Sequence, residues 1–389
     1  MAQTDVKDIS KSQREKNRRR DMHKLLGLAS LFVIVLGLYA SRDRWLSKVS
    51  TDSILLMKQD EITGENFPLS VSNNTGYQTC RFGEGFAVLS DTKFYIYSGD
   101  GKIIETRENT YSNSVMKNVE NKALIYEQGG SYFRVEGKRD TVYNKKASGT
   151  ILTAEISNQG YVAVVSLTDR YVCELSVYDA GGEEIYFRGC KERIIDIAFN
   201  SESTGCAVVN IDAQNGSLVS KTRMIDFKKS EDLWESQTME VCCVDSYMLD
   251  DNGIFIFGDE ICAHYDADGN CDFTQSYTGT LSDFAYSGNK AAIVCENEVK
   301  RETTMMFING YDQDVISIVL NEPVKCMYAE KNAVYIMTEG SVDAYDYSGK
   351  LLKSKEISEV YRQIYRIDDY IMLIGYNSID RVKFELKLK

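Results

Sequence analysis

Proline, histidine and tryptophan are nearly absent from this 389-residue chain, which has two residues of each. The prolines, Pro68 and Pro323, lie far apart, and no stretch rich in proline, glycine and serine divides the sequence. A linker between domains usually has such a composition. We therefore expect one continuous domain after the N-terminal segment.

The shortage of histidine limits the chemistry that the chain can carry. His23 lies close to the N-terminus, so a Ser-His-Asp or Cys-His site could use only His264. A zinc site made of several imidazoles is excluded by the count. His264 occurs in the strand-like run 261–265, where we interpret it as a packed or groove-lining side chain.

Cysteine is present, but no C-x-x-C motif occurs, so neither a zinc ribbon nor a thioredoxin-like redox site is indicated. A disulfide between Cys262 and Cys271 across one hairpin is an open alternative. Most cysteines lie inside apolar strand patterns, which favours free buried thiols. The ten are Cys80, Cys173, Cys190, Cys206, Cys242, Cys243, Cys262, Cys271, Cys295 and Cys326.

Positive charge is scarce outside the N-terminal segment. The whole chain has a net charge of −13, and residues 1–48 hold eleven Lys or Arg against five Asp or Glu, so the remainder carries −19. Such an acidic body repels nucleic acid and anionic lipid headgroups. We expect no nucleic-acid partner.

One long apolar run is present, Leu25–Ala40, which holds sixteen residues without a charge. We predict that 25–40 is a transmembrane helix, with flanking residues completing the span. The basic head 1–24 should stay in the cytoplasm as a disordered tail, because positive charge favours the inner side. Residues 41–52 would form a short tether, and 53–389 an extracytoplasmic domain at the cell membrane.

Two other interpretations of the apolar run are open. A cleaved signal peptide also begins with a basic region, but cleavage after Ala40 would place Leu38 where a small residue is wanted. A buried helix of a soluble domain would have no use for the cations beside it. We therefore favour an uncleaved anchor.

The body consists of short runs rich in Val, Ile, Tyr and Phe, separated by Gly, Asp, Asn and Ser, which is typical of an all-β fold. One apolar run recurs every 37 to 48 residues, the spacing of four-stranded propeller blades. We predict an eight-bladed β-propeller in which each run is the second strand of a blade. The runs are 85–89, 122–126, 160–165, 205–209, 253–257, 290–294, 332–336 and 370–374.

A second marker keeps the same phase: an aromatic strand end followed by a turn that contains glycine. It occurs at 97–102, 178–183, 265–270 and 345–350. Glycine supplies the positive φ that such hairpins need, and Asp caps the turn. The recurrence supports the blade assignment.

The last blade has room for only three strands, at 361–367, 370–375 and 380–386. We predict that the run 53–58 closes the ring as its fourth strand, beside 380–386, because closure removes exposed sheet edges. Seven blades, with a degenerate unit near 205–250, is the alternative.

The basic tail, the single anchor and the repeated Tyr-Asp-x-x-Gly-Lys-like turns resemble the domain of unknown function 5711 family, membrane-anchored WD40-like or quinoprotein-like propellers of Gram-positive anaerobes. The resemblance implies a propeller but no functional residues. Quinoprotein dehydrogenases carry tryptophan in their blades, whereas this chain has only Trp45 and Trp234. A quinone cofactor is therefore not expected.

Two weaker motifs invite chemistry. The run 266–270 resembles the start of a calcium loop, but Cys271 and Tyr277 stand where that loop needs Gly and Glu, so we interpret it as a hairpin turn. Paired carboxylates could hydrolyse a glycan, although the spacing of these acids along the sequence cannot show a shared cleft. The candidates are Asp250, Asp251, Asp259, Glu260, Glu296 and Glu298.

These observations name no catalytic, metal or cofactor-binding residue. We expect a membrane-anchored module that binds or scaffolds another envelope protein or a glycan. The alternative is a carboxylate-dependent hydrolase or lyase of envelope polysaccharide, and a third is a sensor that would need a cytoplasmic partner. An enzyme should gather carboxylates with shifted pKa values at one mouth of the channel, whereas a binder should expose an apolar patch there.

Overall fold

The structure, a computed structural model, describes residues 66–71, 76–311, 315–358 and 360–386. The elements assigned within these ranges are thirty-two β-strands. The predicted tail 1–24, membrane helix 25–40 and tether 41–52 lie outside the described residues. In the part of the chain that is described, no helix has the length and apolar character needed to cross a membrane.

The strands form eight four-stranded antiparallel sheets, here called blades I to VIII. Blade I contains β2 (Gln78–Phe82), β3 (Gly85–Leu89), β4 (Lys93–Tyr97) and β5 (Ile103–Glu108). Blade II contains β6 (Ser114–Val119), β7 (Lys122–Glu127), β8 (Tyr132–Glu136) and β9 (Thr141–Lys146). Blade III contains β10 (Thr150–Ile156), β11 (Val162–Leu167), β12 (Cys173–Tyr178) and β13 (Glu184–Cys190). Blade IV contains β14 (Arg193–Phe199), β15 (Gly205–Gln214), β16 (Ser217–Asp226) and β17 (Trp234–Glu235).

The second half of the ring repeats the same order. Blade V contains β18 (Cys243–Met248), β19 (Ile254–Gly258), β20 (Ile261–Tyr265) and β21 (Cys271–Ser276). Blade VI contains β22 (Thr280–Ser287), β23 (Lys290–Asn297), β24 (Glu302–Asn309) and β25 (Ile316–Leu320). Blade VII contains β26 (Cys326–Glu330), β27 (Ala333–Met337), β28 (Ser341–Tyr345) and β29 (Leu351–Glu356). Blade VIII contains β30 (Tyr361–Ile367), β31 (Tyr370–Gly375) and β32 (Ser378–Lys383), completed by β1 (Leu69–Ser70).

The predicted eight-bladed propeller is confirmed, and each predicted second strand is the second strand of one blade. These strands are apolar throughout because both of their faces are covered by neighbouring blades. In one such layer, Phe82 and Phe94 of blade I pack against Ala123 and Ile125 of blade II. The core is therefore a series of layers between blades.

The recurrent glycine turns join the third and fourth strands of blades I, III, V and VII. In each turn a glycine has positive φ, for example 84° at Gly269 and 79° at Gly349. The glycine N–H donates to the carbonyl of the residue three positions earlier, as from Gly349 to Asp346 (3.0 Å). The turns that the sequence predicts are thus confirmed.

The ring closes through the N-terminal segment. Leu69 and Ser70 of β1 pair with Ile379 and Ser378 of β32, which makes β1 the outermost strand of blade VIII. The run 53–58, which is predicted from the sequence as the fourth strand of this blade, lies outside the described residues. The strand described beside β32 is therefore Leu69–Ser70.

Blade IV departs from the regular pattern. It includes part of the region 205–250, where a degenerate unit would have reduced the count to seven blades. Its hairpin β15–β16 has ten residues in each strand, while its fourth strand, β17, has two. The hairpin ends at Asn215 and Gly216, whose φ values of 53° and 89° allow a tight turn. The blade is complete but has a long hairpin and a short edge.

All ten cysteines are free thiols in the structure. Six are buried, three are partly buried, and Cys271 is exposed. Cys262 and Cys271 are not bridged, so the interpretation as free, mostly buried thiols fits better than the hairpin disulfide.

Candidate functional site

The first strands of the blades surround the central channel. Contacts run from β2 to β6, from β6 to β10, from β10 to β14 and from β14 to β18, then from β22 to β26, from β26 to β30 and back to β2. Blades V and VI meet through a shared core that includes Phe257 and Ile293. Polar side chains on these inner strands therefore converge on one axis.

Five inner side chains form a charged group that we call the channel cluster: Lys117 (β6), Glu155 (β10), Asp196 (β14), Asp245 (β18) and Tyr286 (β22). The Lys117 ammonium lies 3.0 Å from a Glu155 carboxylate oxygen. The Ser246 hydroxyl donates to Asp196 at 2.6 Å. The cluster spans blades II to VI on the inner side of the ring.

The charges of the channel cluster lie close enough to shift one another's pKa values. The pKa of Lys117 is raised, first by the charge of Glu155 and further by the charges of Asp196 and Asp245. These two aspartates lie in blades IV and V, neither of which is next to blade II, the blade of Lys117. Burial and then the Asp245 charge raise the pKa of Asp196 to about 7. Burial also raises the pKa of Asp245 to about 6. Both carboxyl groups therefore take up a proton at a higher pH than an ordinary aspartate does.

A local feature of the backbone places these aspartates. The pairing of β14 with β15 shifts register just before Asp196. The pairing of first and second strands shifts in the same way just before Asp245 in blade V and just before Asp283 in blade VI. A β-bulge turns the next side chain away from the regular alternation. Burial raises the pKa of Asp283 as well. The three aspartates therefore occupy equivalent positions in successive blades.

The channel opens on two faces of different character. The upper face is formed by the loops that join second to third strands and the loops that join blades. Four large apolar side chains are exposed in these loops, and a fifth, Leu218, is exposed beside the tip of the blade IV hairpin. Val299 is 96% exposed and Tyr376 is 73% exposed. The other two are Val172 and Val360.

The lower face is formed by the loops that join first to second strands and by those that join third to fourth strands. Among the described residues, its loops expose one large apolar side chain, Leu233. Further apolar side chains near this end, such as Ile103 and Leu351, begin fourth strands and so lie at the outer rim. Exposed apolar loop residues are thus concentrated on the upper face.

A separate cavity of about 330 Å³ lies between blades III and IV. Its charged walls are paired: Arg188 with Asp232, and Arg223 with Glu192 at 2.5 Å and with Glu235 at 2.6 Å. The side chain of Cys190 also contributes to its lining. Because the charges are matched, the cavity has no marked preference for a ligand of one sign.

A family profile matches residues 61–384, which is most of the chain. The chain belongs to DUF5711, a family of unknown function. The resemblance that the repeated turns suggest is therefore confirmed. No curated protein matches the sequence.

Solved structures share the fold of this DUF5711 protein at low sequence identity. BamB from Moraxella catarrhalis is 11% identical, with a TM-score of 0.56, over 83% of this chain and 98% of that one. Sqt1 from Saccharomyces cerevisiae is 9% identical, with a TM-score of 0.59, over the same shares of the two chains. At such identities the likeness shows the propeller architecture alone.

His264, singled out in the sequence, is a packed side chain of β20 and is 3% exposed. Its ring stacks on Tyr311 with centroids 3.8 Å apart. Its Nδ1 lies 2.5 Å from a carboxylate oxygen of Asp272. The interpretation of His264 as a packed strand residue is confirmed.

The run 266–270 in this DUF5711 chain forms a hairpin turn. One carboxylate oxygen of Asp266 accepts the backbone N–H groups of Asp268 (3.0 Å) and Asn270 (2.8 Å). Asp179 and Asp346 accept the equivalent N–H groups in their own turns. The carboxylate therefore serves the turn, as in its sister blades.

The acids proposed as paired carboxylates are not brought together. Asp250 and Asp251 lie in a lower-face loop, whereas Asp259 and Glu260 lie in an upper-face loop of the same blade. Glu296 is the penultimate residue of β23, and Glu298 follows the strand on the upper face. In the described residues, no group of three or more His, Cys, Asp or Glu side chains could hold a metal ion.

The channel cluster is not among the features predicted from the sequence. A usable signal was present, since Asp196, Asp245 and Asp283 each stand inside an apolar first strand, where aspartate is unusual. In the ladders they pair with corresponding second-strand residues, Val209, Phe257 and Val294, which marks them as equivalent. These side chains converge on the channel axis only because the ring closes. The spacing of residues along one strand does not reveal ring closure.

Proposed function

We propose that this protein is a membrane-anchored scaffold whose propeller lies outside the cytoplasm and binds another envelope protein through the upper face. The observation that carries the proposal is the concentration of exposed apolar side chains in the upper-face loops. Exposed apolar side chains are typical of protein interaction sites. Four of the five are aliphatic, which favours a protein partner over a glycan, because glycans stack mainly on aromatic rings such as Tyr376.

The proposed partner contact is tested with paired variants of the full chain. We expect Val299→Ser combined with Tyr376→Ser to reduce recovery of a crosslinked partner from native cells at least tenfold. Leu233→Ser on the lower face is the matched control and should leave recovery unchanged. Equal loss in both variants, or no loss in either, would contradict a role for the upper face.

The location of the propeller follows from the charge asymmetry around Leu25–Ala40 in the sequence. With the head 1–24 inside, protease added to intact cells should digest the propeller and leave a short N-terminal fragment with the membrane. In lysed cells, the control, the protease should also cleave the head 1–24. A propeller that is protected until lysis would reverse the proposed orientation.

A second candidate function is supported by the channel cluster. Two carboxyl groups with raised pKa values on adjacent inner strands, Asp196 and Asp245, satisfy one requirement for general acid–base catalysis on a polysaccharide. Release of new reducing or unsaturated ends from cell-envelope polysaccharide, abolished by Asp245→Asn, would establish it. The absence of product from purified, partner-free protein would leave the scaffold as the function.

A further inference from the structure

Cys173 and Cys190 are directly opposed residues on neighbouring strands. Cys173 begins β12, Cys190 ends β13, and the two are register partners in the antiparallel ladder. Opposed residues in such a ladder project to the same side, with Cα atoms about 4.5 to 5.5 Å apart. A disulfide needs Cα atoms about 4.4 to 6.8 Å apart, so the backbone already provides the required separation.

Both side chains belong to one apolar cluster, together with Ile194 and Cys206. The Cys173 thiol donates to the Glu192 carbonyl at 3.3 Å, and the Ile194 N–H donates to the Cys173 sulfur at 3.5 Å. These contacts fix the Cys173 sulfur on the side of the strand pair that also carries Cys190. The pair is therefore held together by packing as well as by register.

The two thiols differ in access. Cys173 is fully buried, whereas Cys190 is 9% exposed and lines the cavity of about 330 Å³ between blades III and IV. A small reagent can reach Cys190, which lies opposite Cys173, through that cavity without opening the sheet. Among the other cysteines, Cys206 is buried in the same cluster but lies outside this lining.

We propose that Cys173 and Cys190 are a redox modification site that forms a reversible cross-strand disulfide with small-molecule disulfides. One protein thiolate attacks a sulfur of the reagent, forming a mixed disulfide and releasing one reagent thiolate. The second protein thiolate attacks the mixed disulfide, forms the Cys173–Cys190 bond and releases the other reagent thiolate. The two protons lost by the cysteines go to these leaving groups, so two protein thiols are oxidised and one disulfide reagent is reduced.

Ionisation of Cys173 supports this chemistry at neutral pH, whereas the hydrogen bond with Cys173 and burial raise the pKa of Cys190. The hydrogen bond from Cys190, followed by the Ile194 N–H and the Arg193 charge, outweighs burial and lowers the pKa of Cys173 to about 7. The thiolate is the nucleophile in thiol–disulfide exchange, and a thiol that ionises near the ambient pH is well suited to it. Most other cysteines have raised pKa values, for example about 12 for Cys206, where burial is the main cause.

The test uses the full chain, purified in reductant and then exposed to oxidised glutathione in oxygen-free buffer. Remaining thiols are alkylated, and the protein is digested with trypsin without reduction. Cleavage after Arg170, Arg188 and Lys191 separates the two cysteines into peptides 171–188 and 189–191. We expect these peptides to be joined by a disulfide in most molecules, while Cys206 and Cys295 stay alkylated as in the reduced sample.

Oxidation should also raise the melting temperature by about 4 °C, because the bond closes a hairpin loop in the unfolded chain. Cys190→Ala should abolish both the linked peptide and the temperature shift, and Cys206→Ala should preserve them. The wild-type peptide result does not depend on any variant being folded. Full alkylation of Cys173 and Cys190 after oxidation, separate mixed disulfides on each, or linkage of either to Cys206 would overturn the proposal.

Discussion

Replacing Phe67 with alanine is expected to lower the free energy of unfolding of the propeller by about 3 kcal/mol. Phe67 is 8% exposed and packs in a core shared by both ends of the ring. Its ring lies 6.3 Å from that of Phe86 in blade I, and the Arg381 guanidinium of blade VIII lies 4.8 Å above it. The substitution would open a cavity at the point where the ring closes.

Urea unfolding of the full chain, followed by tryptophan and tyrosine fluorescence, measures this change. Ile104→Ala is the matched control, since Ile104 is 46% exposed on the outer strand β5 and should change stability by less than about 0.5 kcal/mol. An equal effect of the two substitutions would mean that the N-terminal segment contributes nothing to closure. A smaller denaturant slope in the Phe67 variant would instead show that blades I and VIII unfold separately.

Replacing Asp196 with asparagine is expected to stabilise the propeller at pH 8 by about 2 to 4 kcal/mol and to leave it nearly unchanged at pH 4. In the folded protein, burial and the neighbouring Asp245 charge raise the pKa of Asp196 to about 7, against an ordinary value near 3.8. The protonated acid is therefore the form that the fold favours. Asparagine keeps an oxygen that can accept the Ser246 hydroxyl and removes the charge.

The direction of the pH dependence follows from this shift. For a carboxyl whose pKa is raised on folding, the associated stability is complete below the unfolded pKa and is lost as the pH rises through the folded value. Thermal unfolding of wild type and Asp196→Asn between pH 4 and pH 8 should therefore diverge as the pH rises from about 4 to about 7, with a constant difference above that range. Asp250→Asn, in an exposed lower-face turn, is the control and should follow the wild-type curve. Parallel curves for wild type and Asp196→Asn would show that the channel does not favour the protonated form.

The blades could be predicted from the sequence because each second strand is buried on both faces. That burial requires a continuous apolar run, as in Gly85–Leu89 and Ala333–Met337, which is easily recognised at a regular spacing. The turns at Gly269 and Gly349 were predictable for a related reason, since their positive φ requires glycine. Local requirements of this kind leave a clear pattern in the sequence.

Closure and the channel depend on contacts between residues far apart in the chain. Tyr77 donates its hydroxyl to the carbonyl of Gly375, and Arg362 donates to the carbonyl of Tyr77, across nearly the whole sequence. Neither residue belongs to a local pattern. Asp196 and Asp245 likewise become neighbours only when blades IV and V meet. Residues of this type are found from the ring geometry, not from periodicity.

Contact between the upper face and a protein partner is the basis of the proposed function. A photo-activated crosslinking amino acid placed at Val299, and separately at Leu233 on the lower face, tests it in living cells. We expect a defined covalent adduct of one mass from position 299 and none from position 233. Adducts of equal yield from both positions, or an adduct from position 233 alone, would contradict it.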